Sequence, residues 1–298
     1  MRAIANVPHP EALNSLKVML GSIGIDVFRG DGREYNNVIR SFRYVPNHVD
    51  RADEGEIHVE VKPELLAGKK NPILFFLNGG LPEAESDYPT ITANFNMKNA
   101  FTCYWPYVNR LGLKPRKRLK TYDKPIDLCH GGFGWGFARY YKPLMGEVDF
   151  WGFNAPLGAL PQAAVGVKLS SALCLLHLKS NDAPGFALYE AFASATPVIV
   201  SQYFVETTKY HDLFIDGETC LIFGKDCVGW HTKHASEEPR EVYDEIITEI
   251  RGMMERLKNP EENYRIGMNG LFEWFKLTRW TKEKRDALRK YLEGRGVL

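Results

Sequence analysis

Two carboxylates, Asp182 and Glu190, stand eight positions apart in "NDAPGFALYEAFASATPVIVSQ". Between Phe186 and Ala195, Glu190 is the single charged side chain, flanked by Leu188, Tyr189, Ala191 and Phe192. A helix that is apolar on every side is a buried helix. Burying a carboxylate costs several kcal/mol, as a rough order, unless something satisfies it. Two readings follow. Either Glu190 pairs with a neighbouring Lys or Arg for structural reasons, or it accepts hydrogen bonds from the hydroxyls of a ligand. Asn181, Asp182, Pro184 and Gly185 make the preceding residues a loop.

Other residues have types suited to chemistry. His9 follows the first predicted strand and is either a solvated loop histidine or a group that orients or deprotonates a hydroxyl. "LNGG", with Gly79 and Gly80, ends a buried apolar run and serves as a plain turn or as a source of backbone N–H groups for an anion. "HGGFGWG" (130–136) has the glycines of a phosphate loop but no Lys-Ser/Thr ending, and its spacing is not that of a dinucleotide fingerprint. Cys220, Cys227, His231 and His234 are zinc-ligand types, yet their spacing does not match structural zinc sites, so no metal site is expected.

The elements that must position these groups alternate in type. "RAIANV" reads as a strand, "EALNSLKVMLGSIGI" as a helix and "DVFR" as a second strand. That βαβ opening implies a parallel sheet. "EIHVEV" alternates as a half-exposed strand, and "PILFFL" is continuous enough for a buried one. Residues 110–125 then carry seven Lys/Arg against one Asp, and they mark the composition shift of a domain boundary. Beyond it the rhythm restarts, with strands at "IDLCH", "EVDFWG", "ALCLLHL", "PVIVS" and "ETCLIF". Helices alternate with them, and three more close the chain at about 239–258, 261–277 and 281–294.

The chain has 298 residues, 44% of them hydrophobic, which is enough for two domains of roughly 100–200 residues each. A net charge of +1 excludes a global field drawing the protein to nucleic acid or anionic membrane. The first residues lack the pattern of a secretory signal, and no apolar run approaches the ~18 residues of a membrane span. Five scattered cysteines in apolar segments fit a reducing compartment, so a cytoplasmic protein is expected.

Over 126–281 the order of these features resembles the nucleotide-sugar-binding half of a GT-B glycosyltransferase. It is most similar to the large retaining family of sucrose synthase-like and bacterial polysaccharide enzymes. "GFALYEAFASATPVIVS", "FIDGETCLIF" and residues 259–281 match that family's motifs, while residues 1–109 match in outline. The first acid is Asp where the family has Glu, and Ala195 stands where it has glycine.

The resemblance implies two Rossmann-like domains facing across a cleft, with an acceptor domain over 1–122, a donor domain over 123–280 and a C-terminal helix over 281–298 packing back on the first. It implies that Glu190 holds the ribose and Asp182 the transferred sugar of a UDP- or GDP-sugar. Around them stand Gly185, Phe186, Ala187 and Leu188 at a helix N-terminus suited to a diphosphate. His130, Gly131, Gly132, Arg139 and Lys142 are placed near the donor, with Gly79 and Gly80 opposite and His9 toward the acceptor. The expected reaction is metal-independent, with retention at the sugar, and the acceptor is a hydroxyl group. Two alternatives stay open: a DNA glucosyltransferase of viral type, using the basic run Arg110, Lys114, Arg116, Lys117, Arg118, Lys120 and Lys124 as a phosphate-tracking patch, and a nucleotide-sugar-binding protein without turnover. The bland reading of that run is a solvated linker.

Overall fold

The computed structural model describes residues 1–7, 10–30, 57–77, 85–109, 112–118, 121–128, 143–151, 157–158, 160–178, 186–224 and 240–298. They form two compact units, Met1–Val108 with Thr278–Leu298, and Asn109–Leu277.

The first unit is built on strands β1 (Arg2–Asn6), β2 (Asp26–Arg29), β3 (Ile57–Glu60), β4 (Pro72–Phe76), β5 (Thr90–Thr92) and β6 (Phe101–Thr102). They lie in the order β2-β1-β3-β4-β5-β6 with every pairing parallel. Helix α1 (Pro10–Gly21) connects β1 to β2 and buries Ala12, Leu13, Leu16, Met19 and Leu20. Gly24, at φ +83°, turns the chain into β2. The chain's last helix, Lys282–Gly294, belongs to this unit and buries Leu288 and Leu292. Its Tyr291 hydroxyl accepts from Thr90 N at 2.8 Å and donates to Asn99 O at 2.9 Å, while Trp280 Nε1 donates to Ser22 Oγ at 2.9 Å.

In the second unit β7 (Ile126–Leu128), β8 (Asp149–Trp151), β9 (Leu175–His177), β10 (Val198–Ser201) and β11 (Leu221–Phe223) stand in the order β11-β10-β9-β7-β8, again all parallel. Every residue of β9, β10 and β11 is buried, as expected of strands covered on both faces. Helices α2 (Gln162–Ser171), α3 (Phe186–Ala193) and α4 (Gln202–Thr208) alternate with the strands; α5 (Arg240–Arg256) and α6 (Pro260–Thr278) follow, and Lys282–Gly294 is α7. Ile246, Ile247, Ile250, Met254, Leu257 and Ile266 pack from α5, α6 and the turn between them onto Leu176, Ile199, Leu221 and Phe223.

The end of α3 explains a residue that departs from the family pattern. Thr196 N donates to Ala191 O and Ala195 N to Phe192 O, the paired bonds of a Schellman cap. The residue after the cap must then be left-handed, and Ala195 takes φ +55° where glycine is usual. Helix α6 lies directly on this turn. A Cβ on Gly267 would stand 2.0 Å from Ala195 O, and one on Gly270 2.8 Å from Thr219 O and 2.9 Å from the Phe192 ring.

The basic run holds a correction. Lys114, Lys117, Arg118 and Lys124 are exposed, but Arg116 is 5% exposed and sits inside the second unit. Its Nη1 donates to Ala172 O (2.8 Å) and Asn263 Oδ1 (3.3 Å), and its Nη2 to Leu169 O (2.8 Å) and Thr196 Oγ1. Leu169 and Ala172 carry carbonyls at the C-terminal end of α2, where a cation is favoured. The Arg116 N–H reaches Ser194 O beyond α3 at 2.9 Å, and its guanidinium lies 5.4 Å from the centre of the Tyr122 ring. Burial lowers the guanidinium pKa to about 10 against the opposing influence of Tyr122 and Cys174, so the group stays charged. Arg110 and Lys120 lie outside the described residues.

Two outcomes test these contacts. Gly267→Ala forces a backbone apart and should cost about 3 kcal/mol or more, read as a lowered denaturation midpoint in urea. Arg116→Met leaves several buried acceptors without a donor and should cost about 3 kcal/mol; Arg116→Lys should recover less than half of that loss, because a single ammonium cannot span two helix ends.

Candidate functional site

In the second unit the chain leaves β7 for β8 on one side and later returns through β9 on the other. The boundary between β7 and β9 is therefore a topological switch point, and ligands of open parallel sheets bind outside the carboxyl ends of such strands. From the carboxyl end of β9 the chain runs through residues 179–185 and then forms α3. Ala187, Leu188, Tyr189, Ala191, Phe192 and Ala193 are all buried on that helix, and Glu190 is 8% exposed. The helix is thus enclosed, as its composition requires. Phe186 begins it, and the Glu190 carbonyl accepts from Ser194 N and Ser194 Oγ at its far end.

Two more groups line the carboxyl edge of this sheet. His177 ends β9, is 1% exposed, and meets the Phe204 ring edge to face at 4.6 Å. Ser201 ends β10 and caps α4 by accepting from Phe204 N at 3.1 Å. Ser201 thus leads directly from β10 into α4. Sequence reasoning took His177 as part of a buried strand and did not single it out.

Asp182, Gly185, His130, Gly131, Gly132, Arg139 and Lys142 lie outside the described residues, as do His9, Gly79 and Gly80. So do Cys227, His231 and His234; Cys220 is a buried thiol just before β11. The Asp-Gly turn of "FIDGETCLIF" precedes β11 and closes on itself, with Asp216 Oδ1 accepting from Ile222 N and Gly217 N donating to Cys220 O, both at 2.8 Å. It lies at the amino end of β11 and has a structural role.

The first unit repeats the switch-point arrangement. Its chain passes from β1 to β2 on one side and takes up β3 on the other. Asn6 and Glu60, the last residues of β1 and β3, are register partners there. Glu60 is 2% exposed, and Asn6 Nδ2 donates to its Oε1 at 2.6 Å. Gly30, just beyond β2, has Asn6 Oδ1 within 1.7 Å of where its Cβ would stand, so only glycine admits the Asn6 side chain in this position. Neither residue was singled out from the sequence. A polar residue ending an apolar strand is the available signal, and "EIHVEV" obscures it by alternation.

No family model matches the chain, and no curated protein resembles it in sequence. Solved structures do match along its whole length. Sucrose-phosphate synthase from Thermosynechococcus elongatus is similar at TM-score 0.56 and 12% identity, covering 98% of both chains. Anabaena HepE, solved with UDP and glucose, is similar at TM-score 0.53 and 10% identity, over 99% of this chain and 100% of that one. A DNA-modifying β-glucosyltransferase, solved with and without uridine diphosphoglucose, is similar at TM-score 0.54 and 14% identity, over 98% and 100%. Two α/β units, each with an all-parallel sheet, and full-length similarity to these glycosyltransferases give the chain the GT-B fold.

Proposed function

We propose that the chain is a glycosyltransferase that moves a sugar from a nucleoside-diphosphate sugar to a hydroxyl acceptor. The observation that carries this reading is Glu190: a carboxylate 8% exposed, one turn into an enclosed helix that follows the switch-point strand of a GT-B donor unit. A carboxylate there suits two ribose hydroxyls, which it can accept in charge-assisted hydrogen bonds. The N-terminus of α3 suits the diphosphate. HepE and the DNA-modifying glucosyltransferase, similar in fold, were solved with a uridine nucleotide or its sugar, which favours UDP among the donors.

In this reading Asp182 holds the transferred sugar, and His9 faces the acceptor. The acceptor oxygen bonds to the anomeric carbon as the carbon–oxygen bond to the diphosphate breaks, and the acceptor proton passes to the departing diphosphate. Oriented donors around that diphosphate supply the main stabilisation, and no metal is required. The two-acid order supports retention. Cys103 and Cys174, buried thiols whose pKa burial pushes up to about 12, behave as inert hydrophobes and support a reducing, cytoplasmic setting.

Thermal shift against UDP-, GDP-, ADP- and dTDP-sugars tests the donor half. One base should stabilise the protein by about 2.7 kcal/mol at a hundredfold excess over Kd. Glu190→Gln should keep the fold and lose that shift. An unchanged shift makes Glu190 structural, and no shift with any nucleotide sugar sinks the reading. Slow release of the nucleoside diphosphate without acceptor separates an enzyme from a protein that only binds the donor.

A further inference from the structure

We infer that the second unit carries a ligand site at the amino end of its sheet, separate from the donor site, and that its ligand is a dipeptide-sized zwitterion with an apolar body. The site stands on this unit's own geometry and goes beyond the glycosyltransferase reading.

A cavity of about 680 Å³ opens there, within the range of roughly 300–1,000 Å³ typical of small-molecule sites. One wall is the segment that runs into β7. Asp123 N donates to Ser171 O at 2.8 Å and Leu173 N donates to Asp123 O at 3.0 Å, so the backbone that carries the Asp123 side chain is tied through both its N–H and its carbonyl. The other wall is one face of α5 and the turn after it, where Arg251, Met254, Glu255 and Lys258 recur at helical spacing. Pro125, Leu173 and Met254, all buried, and the half-buried Tyr122 give the cavity an apolar floor. Pro125 precedes β7 and Leu173 precedes β9, whereas a donor is taken at the carboxyl ends of the same strands. The two sites therefore occupy opposite edges of one sheet.

The charges around the cavity select its ligand. Asp123, Glu147 and Glu255 balance Lys124, Arg251 and Lys258 in number, but their pairing is uneven. Two pairs close on themselves: Arg251 donates from Nε and Nη2 to the Glu147 carboxylate at 2.7–3.2 Å, and Lys258 pairs with Glu255. Lys124 Nζ donates to the Gly146 carbonyl at 2.6 Å and has no carboxylate partner among the described residues. Among the same residues the exposed Asp123 carboxylate has no side-chain partner. One acid and one base on consecutive residues are thus left open beside an apolar floor. A lone cation or a lone anion satisfies one of them and adds a net charge to a cavity whose own charges cancel. A ligand with one ammonium and one carboxylate answers both in charge-assisted hydrogen bonds. Its apolar side chains cover Leu173 and Met254. A nucleotide sugar, with two negative phosphates and no cation, is a poor occupant.

Isothermal titration calorimetry of the whole protein with L-leucyl-L-phenylalanine tests the site. The free dipeptide should bind, and glycylglycine, which has the charges without the apolar side chains, should bind far more weakly. Acetylating the amino group or amidating the carboxylate should each weaken binding about tenfold, the loss expected for one charge-assisted bond. Asp123→Asn, at an exposed position whose backbone bonds are unchanged, should weaken the free dipeptide about tenfold and leave the acetylated form unaffected. Lys124→Gln should do the same for the free dipeptide and spare the amidated form. The nucleotide-sugar thermal shift should survive in both variants. The inference is overturned by a wild type that does not bind the dipeptide, by binding indifferent to both variants, or by a single-charge form or glycylglycine that binds as tightly. Displacement of the dipeptide by a nucleotide sugar overturns it too. Dipeptide binding that depends on Asp123, in a protein no nucleotide sugar stabilises, instead removes the glycosyltransferase reading and leaves this site standing.

Discussion

The second unit depends on a buried cation held by carbonyl, hydroxyl and amide oxygens. Arg116 is satisfied by the carbonyls of Leu169 and Ala172, the Thr196 hydroxyl and the Asn263 amide oxygen. Helix ends leave carbonyls without intrahelical donors, and they carry the negative end of the helix dipole. One guanidinium answers both needs at the end of α2, while its backbone N–H satisfies Ser194 beyond α3. Asn263 extends the network from α6 by donating to Leu173 O and Leu257 O at 2.8 and 3.0 Å. The C-terminal ends of two helices and the entry to β9 are therefore fixed to one another. With the C-terminal end of α3 held there, its N-terminal end begins at Phe186, four positions after Asp182 in the sequence.

Close backbone contact completes that arrangement. Gly267 and Gly270 allow α6 to lie on the turn after α3 and on Thr219 without side chains between them. The Tyr189 and Trp274 rings then meet edge to face at 6.2 Å, packing α3 against α6. Helix α3 is thus fixed by packing and by its cap.

Legibility in the sequence followed the physical source of each feature. Helix α3 was readable because a run apolar on all faces has one stable location, and both sheets were readable because βαβ alternation restricts the connections. Arg116 was not readable. Counting charge over 110–125 averages across an extended segment in which Leu113 and Arg116 turn inward and Lys114 and Lys117 outward. Glu60 escaped for a related reason. Alternation in "EIHVEV" places Ile57 and Val59 inside and predicts Glu60 outside, but β3 is an interior strand and Val59 and Glu60 are both buried. The left-handed backbone at Ala195 was legible only as a departure from a family pattern, because alanine carries no sign of positive φ.

The two sheets hold their buried acids by different means, and the difference bears on what each acid can do. Glu60 ends a strand, so its backbone is fixed by ladder hydrogen bonds on both sides and its side chain by Asn6. Such an acid has little freedom to move. Glu190 sits on a helix of eight residues whose far end is anchored. A short helix moves as a body more easily than an interior strand does, since its position rests on side-chain packing rather than on a ladder. The helix-borne acid is suited to a donor that must enter and leave as a charged nucleotide in each turnover.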